Sequence, residues 1–214
     1  MTSTNLSFVL LIFVLCVVGV AQFAAAAAGT AGGTDYIKTS CAVTHYASLC
    51  VQSLTPYAKT IGQNQQQLAK AALSVSLAKA QSCSAFMSSV AKSKGLNSRA
   101  YQAVQDCVNQ VADSVNSLSN SVQELSNASP SGSQDFSWRM SNVETWTSTA
   151  LTDANTCLNG LSRQTMNANV KSMITAKVLT IAQLSSNALA LVNRFAAKHS
   201  KGMKDRSRNV LLFN

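Results

Sequence analysis

Proline is almost missing from this chain of 214 residues: only 2 occur, beside 9 glycines, and neither residue forms a long tract. Collagen-like, mucin-like and proline-rich disordered classes are thereby excluded. Acid–base material is equally sparse, with 8 carboxylates and 2 histidines. Neither His45 nor His199 pairs with a Ser, Cys or Asp arrangement that suggests a nucleophilic triad. Charged residues make up 12% of the chain, against roughly 25% in an average soluble domain. Aromatic residues are 6% and form no base-stacking cluster, which argues against nucleic acid. What remains is rich in Ala, Leu and Gln and poor in turn formers, a composition that favours long helices. Seventeen Lys and Arg give a net charge of +9, so a polyanion is a candidate partner. The composition as a whole argues against an enzyme, and no cofactor is called for.

Residues 1–34 contain no charged side chain, Leu6 to Val20 is almost wholly apolar, and Ala24 to Ala28 supplies small residues. This pattern predicts a secretory signal peptide over residues 1–28, cleaved within Ala24–Ala28. The apolar run is too short for a span, which needs about 20 such residues. No membrane association is therefore expected once the leader is removed. Secretion changes the meaning of the cysteines, because disulfides persist outside the cytosol. Cys16 leaves with the leader, while Cys41, Cys50, Cys83, Cys107 and Cys157 remain. Five is odd, so at most two bridges and one spare thiol are expected. No pair has CxxC spacing and no His stands at ligand spacing from them, so no metal site is expected.

Tyr36 to Cys50 reads as a short helical hairpin, closed soon after by Thr55-Pro56. A local bridge between Cys41 and Cys50, nine positions apart, would stabilise by roughly 3 kcal/mol on the chain-entropy account. Four long amphipathic segments follow. The first runs from about Gln65 to Lys94, with Leu68, Ala72, Val75, Phe86 and Val90 inward and Gly95 as its stop. The second is capped by Ser98 and carries Val104, Val108, Val111, Val115, Leu118, Val122 and Leu125 in steps of three and four. The third spans about Asp135 to Leu161, with Met140, Val143, Trp146, Ala150, Ala154, Cys157 and Leu161 inward. The fourth spans about Asn167 to Lys198, with Val170, Ile174, Val178, Ile181, Ala188, Leu191 and Phe195 inward.

The expected fold is all-α: an up-down-up-down four-helix bundle preceded by a short disulfide-closed helical hairpin, its helices each about 40 Å long. The link from Ser126 to Gln134 contains Pro130-Ser131-Gly132 and reads as a loop. It also holds Asn127-Ala-Ser, an N-glycosylation acceptor, although the Pro130 that follows disfavours its use. Antiparallel packing puts Cys107 and Cys157 at the same end of the bundle, where a bridge would be worth roughly 4 kcal/mol. Cys83 lies at a similar height, so geometry leaves both partners open for Cys107.

Four features of the chain are familiar together. They are C-x8-C at Cys41 and Cys50, Asp106-Cys107, Val143-Glu-Thr-Trp-Thr-Ser-Thr-Ala-Leu-Thr-Asp-Ala-Asn-Thr-Cys157, and Leu184-Ser-Ser-Asn-Ala-Leu-Ala-Leu-Val192. From about Asp35 to Phe195 the chain resembles the plant invertase and pectin methylesterase inhibitor family. The resemblance implies disulfides Cys41–Cys50 and Cys107–Cys157, leaving Cys83 a free, buried thiol. It implies a protein that is not an enzyme but binds a carbohydrate enzyme of the cell wall, one to one, and blocks it. For the pectin methylesterase type, the second and third helices cover the substrate cleft, and Thr156 falls in the contact region. Acidic residues that contribute in some members are replaced here by Asn109 and Asn159. Invertase-type members often carry Pro-Lys-Phe between those helices. Here the loop reads Ser129-Pro130-Ser131-Gly132, which favours pectin methylesterase over acid invertase. A secreted helical carrier of an apolar ligand is the reading from another class, and would need a cavity among the four stripes.

Residue by residue, Thr152 and Asp153 lie one turn before Thr156 and extend its face. Glu144 reads equally well as a solvated carboxylate near a helix N-terminus. Trp146 falls on the apolar stripe, and Trp138 near the helix start is placed over the bundle end. The inhibitor domain is expected to end near residue 198 and a basic tail to fill 199–214. From Arg194 onward the chain holds six basic residues against Asp205, more than half of the net charge. Lys198, Lys201, Lys204, Arg206 and Arg208 are candidate contacts to de-esterified pectin, the polyanion of the apoplast and cell wall.

Overall fold

The computed structural model describes residues 32–92, 96–129 and 134–212, with residue 134 and residues 200–212 as backbone only. The expected leader (1–28), the Gly95 stop and Pro130-Ser131-Gly132 lie outside the described residues. Helix α1 covers residues 32–41, α2 Ala47–Leu54 and α3 Ala58–Ile61, with a 3-10 turn Thr55–Tyr57 between the last two. The long helices are α4 Gln65–Ala91, α5 Ser98–Asn127, α6 Gln134–Ser162 and α7 Ala168–Leu212. Each long helix packs on its two neighbours in a ring, α4 on α5, α5 on α6, α6 on α7 and α7 on α4, which is the up-down-up-down bundle.

Asparagines start three of these helices by accepting backbone N–H groups that have no partner within the helix. Asn64 Oδ1 accepts from the Gln67 N–H at 3.0 Å, just after Gly62 breaks α3 with a φ of +52°. Asn167 Oδ1 accepts from the Asn169 and Val170 N–H groups at 3.0 and 3.3 Å. At α5 the cap is Asn97, which accepts from the Ala100 N–H at 2.8 Å. Ser98, the expected cap, is the first helical residue: the amide one position earlier has the extended backbone a cap requires.

The buried stripes follow a seven-residue repeat. On α5 it comprises Val104, Val111, Leu118 and Leu125 together with Ala100, Cys107, Ser114 and Ser121. On α6 it comprises Phe136, Val143, Ala150 and Cys157 together with Met140, Thr147, Ala154 and Leu161. Val108, Val115, Val122 and Trp146, read from the sequence as inward, are half-buried flanks. A repeat of 3.5 residues keeps one seam against the neighbour, and the small polar residues Ser114, Ser121 and Thr147 fill it where bulk would not fit.

The register of that seam is explicit. Cys107 is bonded to Cys157 with Cα atoms 4.7 Å apart. The Ser114 hydroxyl lies 3.2 Å from the Ala150 carbonyl, and that of Ser121 3.5 Å from the Val143 carbonyl. Each step of seven forward on α5 is a step of seven back on α6. At the far end Arg139 continues the pairing, with Nη1 3.1 Å from Glu124 Oε1 and Nε 2.8 Å from Asp135 Oδ2.

The N-terminal hairpin is closed by the Cys41–Cys50 bridge and tied to α7 by one side chain. Asn187, 3% exposed, accepts the Tyr46 N–H at 3.0 Å and donates to the Tyr46 carbonyl at 2.9 Å. Both backbone groups of Tyr46 are thus paired at this half-buried position.

Helix α7 continues to Leu212, beyond the boundary near residue 198 that the sequence suggests. No proline interrupts it, and Ala, Lys, Met and Arg are good helix formers. His199 belongs to the bundle end, its ring 4.8 Å from Phe195 and 5.5 Å from Phe136. Ala168–His199 is long and apolar enough to cross a membrane by length and composition, and half of its most apolar stretch is buried in the bundle.

Candidate inhibitory face

The Cys107–Cys157 bridge lies under a groove of about 590 Å³ between the start of α5 and the end of α6. Asn109 and Thr156 both line it, with Arg99, Gln102, Asp106 and Gly160 among their neighbours. Asn159 is exposed on α6 outside the groove lining. Arg99, Gln102 and Gly160 escape a reading of the sequence for motifs, although Gln102 stands seven residues before Asn109, two turns along the same face.

Thr152 and Asp153 line a second, more open groove with Glu144, Thr145, Ser148 and Thr149 of α6 and Leu189 and Asn193 of α7. The outer surface of α6 is consequently a row of exposed, uncharged polar side chains: Thr145, Ser148, Thr149, Thr152, Thr156 and Asn159. Three of these hydroxyls donate to the carbonyl four residues back: Thr149 to Thr145 at 3.0 Å, Thr152 to Ser148 at 3.0 Å and Thr156 to Thr152 at 2.9 Å. With its proton engaged in this way, each hydroxyl offers the outside only an acceptor. β-Branching also restricts χ1 of these threonines, so their side chains have few alternative rotamers.

The charged groups beside this row are few. Asp153 has one carboxylate oxygen, Oδ2, buried without a hydrogen-bond partner. Burial, and secondarily the carboxylate of Asp113 on α5, raise its pKa above the ordinary carboxylate value. Burial likewise raises Glu144. Among the described residues no three His, Cys, Asp or Glu side chains stand together as metal ligands.

Cys83 is the free thiol and is buried, 2% exposed. It lies between α4 and α7 beside Lys177 and Thr180, with the Lys177 ammonium also 5.0 Å from the Phe86 ring centroid. Asn127, the last residue of α5, is exposed, as is Lys198. Lys201, Lys204, Arg206 and Arg208 lie on the part of α7 described by backbone alone.

Residues 35–191 match the family model for plant invertase/pectin methylesterase inhibitors. The chain is 49% identical over 174 residues to the 21 kDa protein of Daucus carota, covering 81% of this chain and 90% of that one. It is 42% identical over 190 residues to Pectinesterase inhibitor 9 of Arabidopsis thaliana, covering 87% and 93%. The crystal structure of a mutant form of a pectin methylesterase inhibitor from Arabidopsis superposes with a TM-score of 0.58 at 24% identity, over 72% of this chain and 92% of that one. That likeness shows the fold. The sequence match along nearly the whole described bundle shows more: the chain belongs to the plant invertase/pectin methylesterase inhibitor family.

Proposed function

We propose that the protein is secreted to the plant apoplast and binds pectin methylesterase one to one, laying the α5–α6 face across the enzyme's substrate cleft. It acts as an inhibitor and not as an enzyme. The observation that carries this reading is the 42% identity to a pectinesterase inhibitor across 87% of the chain. On this reading residues 1–28 are the leader, 35–198 the inhibitory domain and 199–214 a basic extension.

The geometry supports occlusion physically. A face whose side chains are already held by local hydrogen bonds loses little freedom on binding, so less of the contact energy is spent on ordering. The Cys107–Cys157 bridge fixes α5 against α6 at the groove itself. Because the threonine hydroxyls present acceptors, the complementary surface on the enzyme supplies donors. Asn109 and Asn159 keep hydrogen bonding without charge, which makes this part of the contact insensitive to pH.

Thr156→Trp tests the face directly. The variant keeps the bundle, because Thr156 is exposed, but weakens binding to pectin methylesterase at least about tenfold, or ~1.4 kcal/mol. Full potency would remove Thr156 from the contact. A parallel assay against acid invertase separates the two targets: no inhibition there is expected. The basic extension is assigned to electrostatic retention on de-esterified pectin. Removing residues 198–214 then lowers the salt needed to elute the protein from pectate, and unchanged elution would refute that assignment.

A further inference from the structure

The end of the bundle opposite the groove carries two exposed features that inhibition does not use. One is the triplet Asn127-Ala128-Ser129. The other is Trp138, an indole 60% exposed that the sequence reading places as a cover over the bundle end. A single exposed aromatic is ordinary on a protein surface, but an open indole face is also a platform on which a sugar ring can lie.

We infer that Asn127 carries an N-linked glycan whose first sugar ring rests on the indole of Trp138. The inference relies on the secretion proposed above, since the modifying enzyme acts in the secretory pathway. The triplet has the required Asn-x-Ser chemistry with a non-proline residue between, and the Pro130 that follows lowers its use without removing the acceptor. Its backbone is presented well: α5 ends at Asn127, and Ala128 has extended φ and ψ of −74° and 110°. Asn127 and Ser129 are both exposed while Ala128 is 3% exposed. The buried alanine anchors the segment, and Gln66 Nε2 donates to the Leu125 and Ala128 carbonyls at 2.9 and 2.8 Å. The amide that would receive the sugar therefore projects from a fixed base.

The register of the α5–α6 seam places Trp138 at the same level. Continuing the pairing of Cys107 with Cys157, Ser114 with Ala150 and Ser121 with Val143 by another seven residues sets Ala128 level with Phe136. Glu124, three residues before Asn127 and on the same helix face, is joined to Arg139, the residue after Trp138, at 3.1 Å. The apolar face of a pyranose ring carries axial C–H groups, and a tryptophan face with its negative quadrupole is a suitable platform for them. The glycan stays clear of the inhibitory groove, because Asn109 and Asn127 are eighteen positions apart on one helix, about 27 Å along its axis.

The test is expression of the full chain in plant cells, with medium and cell fractions examined by intact mass. Protein in the medium is expected to include a heavier, endoglycosidase-sensitive form that is absent in Asn127→Gln and in Ser129→Ala. Pro130→Ala is expected to increase the heavier form. Bare polypeptide in the medium for the parent chain would overturn the inference while leaving secretion intact, whatever Pro130→Ala shows. Retention of the protein inside the cells would overturn the secretion reading and this inference with it. For the stacking, Trp146→Phe leaves Trp138 as the sole indole. Acrylamide quenching of its fluorescence is expected to fall about twofold with the glycan present. Equal quenching before and after enzymatic removal of the glycan would overturn the contact with Trp138. Glycosylated and bare forms are expected to bind pectin methylesterase equally; a loss of binding on glycosylation would contradict the placement at the end opposite the groove.

Discussion

The Cys83 thiol lies between α4 and α7, where burial pushes its pKa up to about 11, with Lys177 working in the other direction. At pH 8 only about one thiol in a thousand is ionised, and the thiolate is the reactive form. The folded protein should therefore leave Cys83 unmodified by iodoacetamide at pH 8, and denaturant should make it react. Rapid alkylation of native protein would contradict the burial. Asp153 gives a second check at this scale. Its folded pKa is raised from the ordinary 3.8 by burial and then by Asp113, so the native state holds the proton more tightly than the unfolded chain. Stability is then lost as pH rises from 3.8 through the raised value. Asp153→Asn should raise Tm at pH 7, and the gain should vanish near pH 3.5. The polar residues that organise the bundle were the hardest to read from sequence. Asn187 sits in a run of small and apolar residues, and its bonds to Tyr46 span 141 positions. No local pattern announces such a partner.

At the scale of the helix, the existence and order of the long elements were legible because apolar residues recur every three and four positions. The finer choice of which residues face inward was not. A reading weighted by hydrophobicity favours Val108, Val115, Val122 and Trp146, whereas the seam is filled by Cys107, Ser114, Ser121 and Thr147. Helices approach closely only where side chains are small, so shape outranks apolarity at these positions. Ser114→Leu should accordingly destabilise by about 1–3 kcal/mol through overpacking. Leu118→Ala, on the large-residue stripe of the same helix, should cost about 2–5 kcal/mol. Urea unfolding midpoints check both, and a neutral or stabilising Ser114→Leu would refute the close seam. The end of α7 was likewise hidden. A basic composition reads as a solvated tail, yet it holds no proline and its one glycine, Gly202, does not end the helix, and the contacts of His199 with Phe136 and Phe195 anchor the helix at the expected boundary.

For the whole molecule, helical period and connection lengths led to a four-helix bundle, while the disulfide pairing needed more than spacing. Cys83 and Cys157 stand at similar heights, and only the direction each faces decides between them: Cys83 looks toward α7 and Cys157 toward α5. The groove over that bridge was only partly legible, since Asn109 and Thr156 came from the family resemblance and Arg99, Gln102 and Gly160 from the fold. The central claim is that this rigid, weakly charged face blocks pectin methylesterase. Its most direct test is a titration of oxidised mature protein into a plant pectin methylesterase, with methanol release followed between about pH 5 and 7.5. The account predicts suppression that is complete near one inhibitor per enzyme. Undiminished methanol release at a molar excess across that range would contradict it.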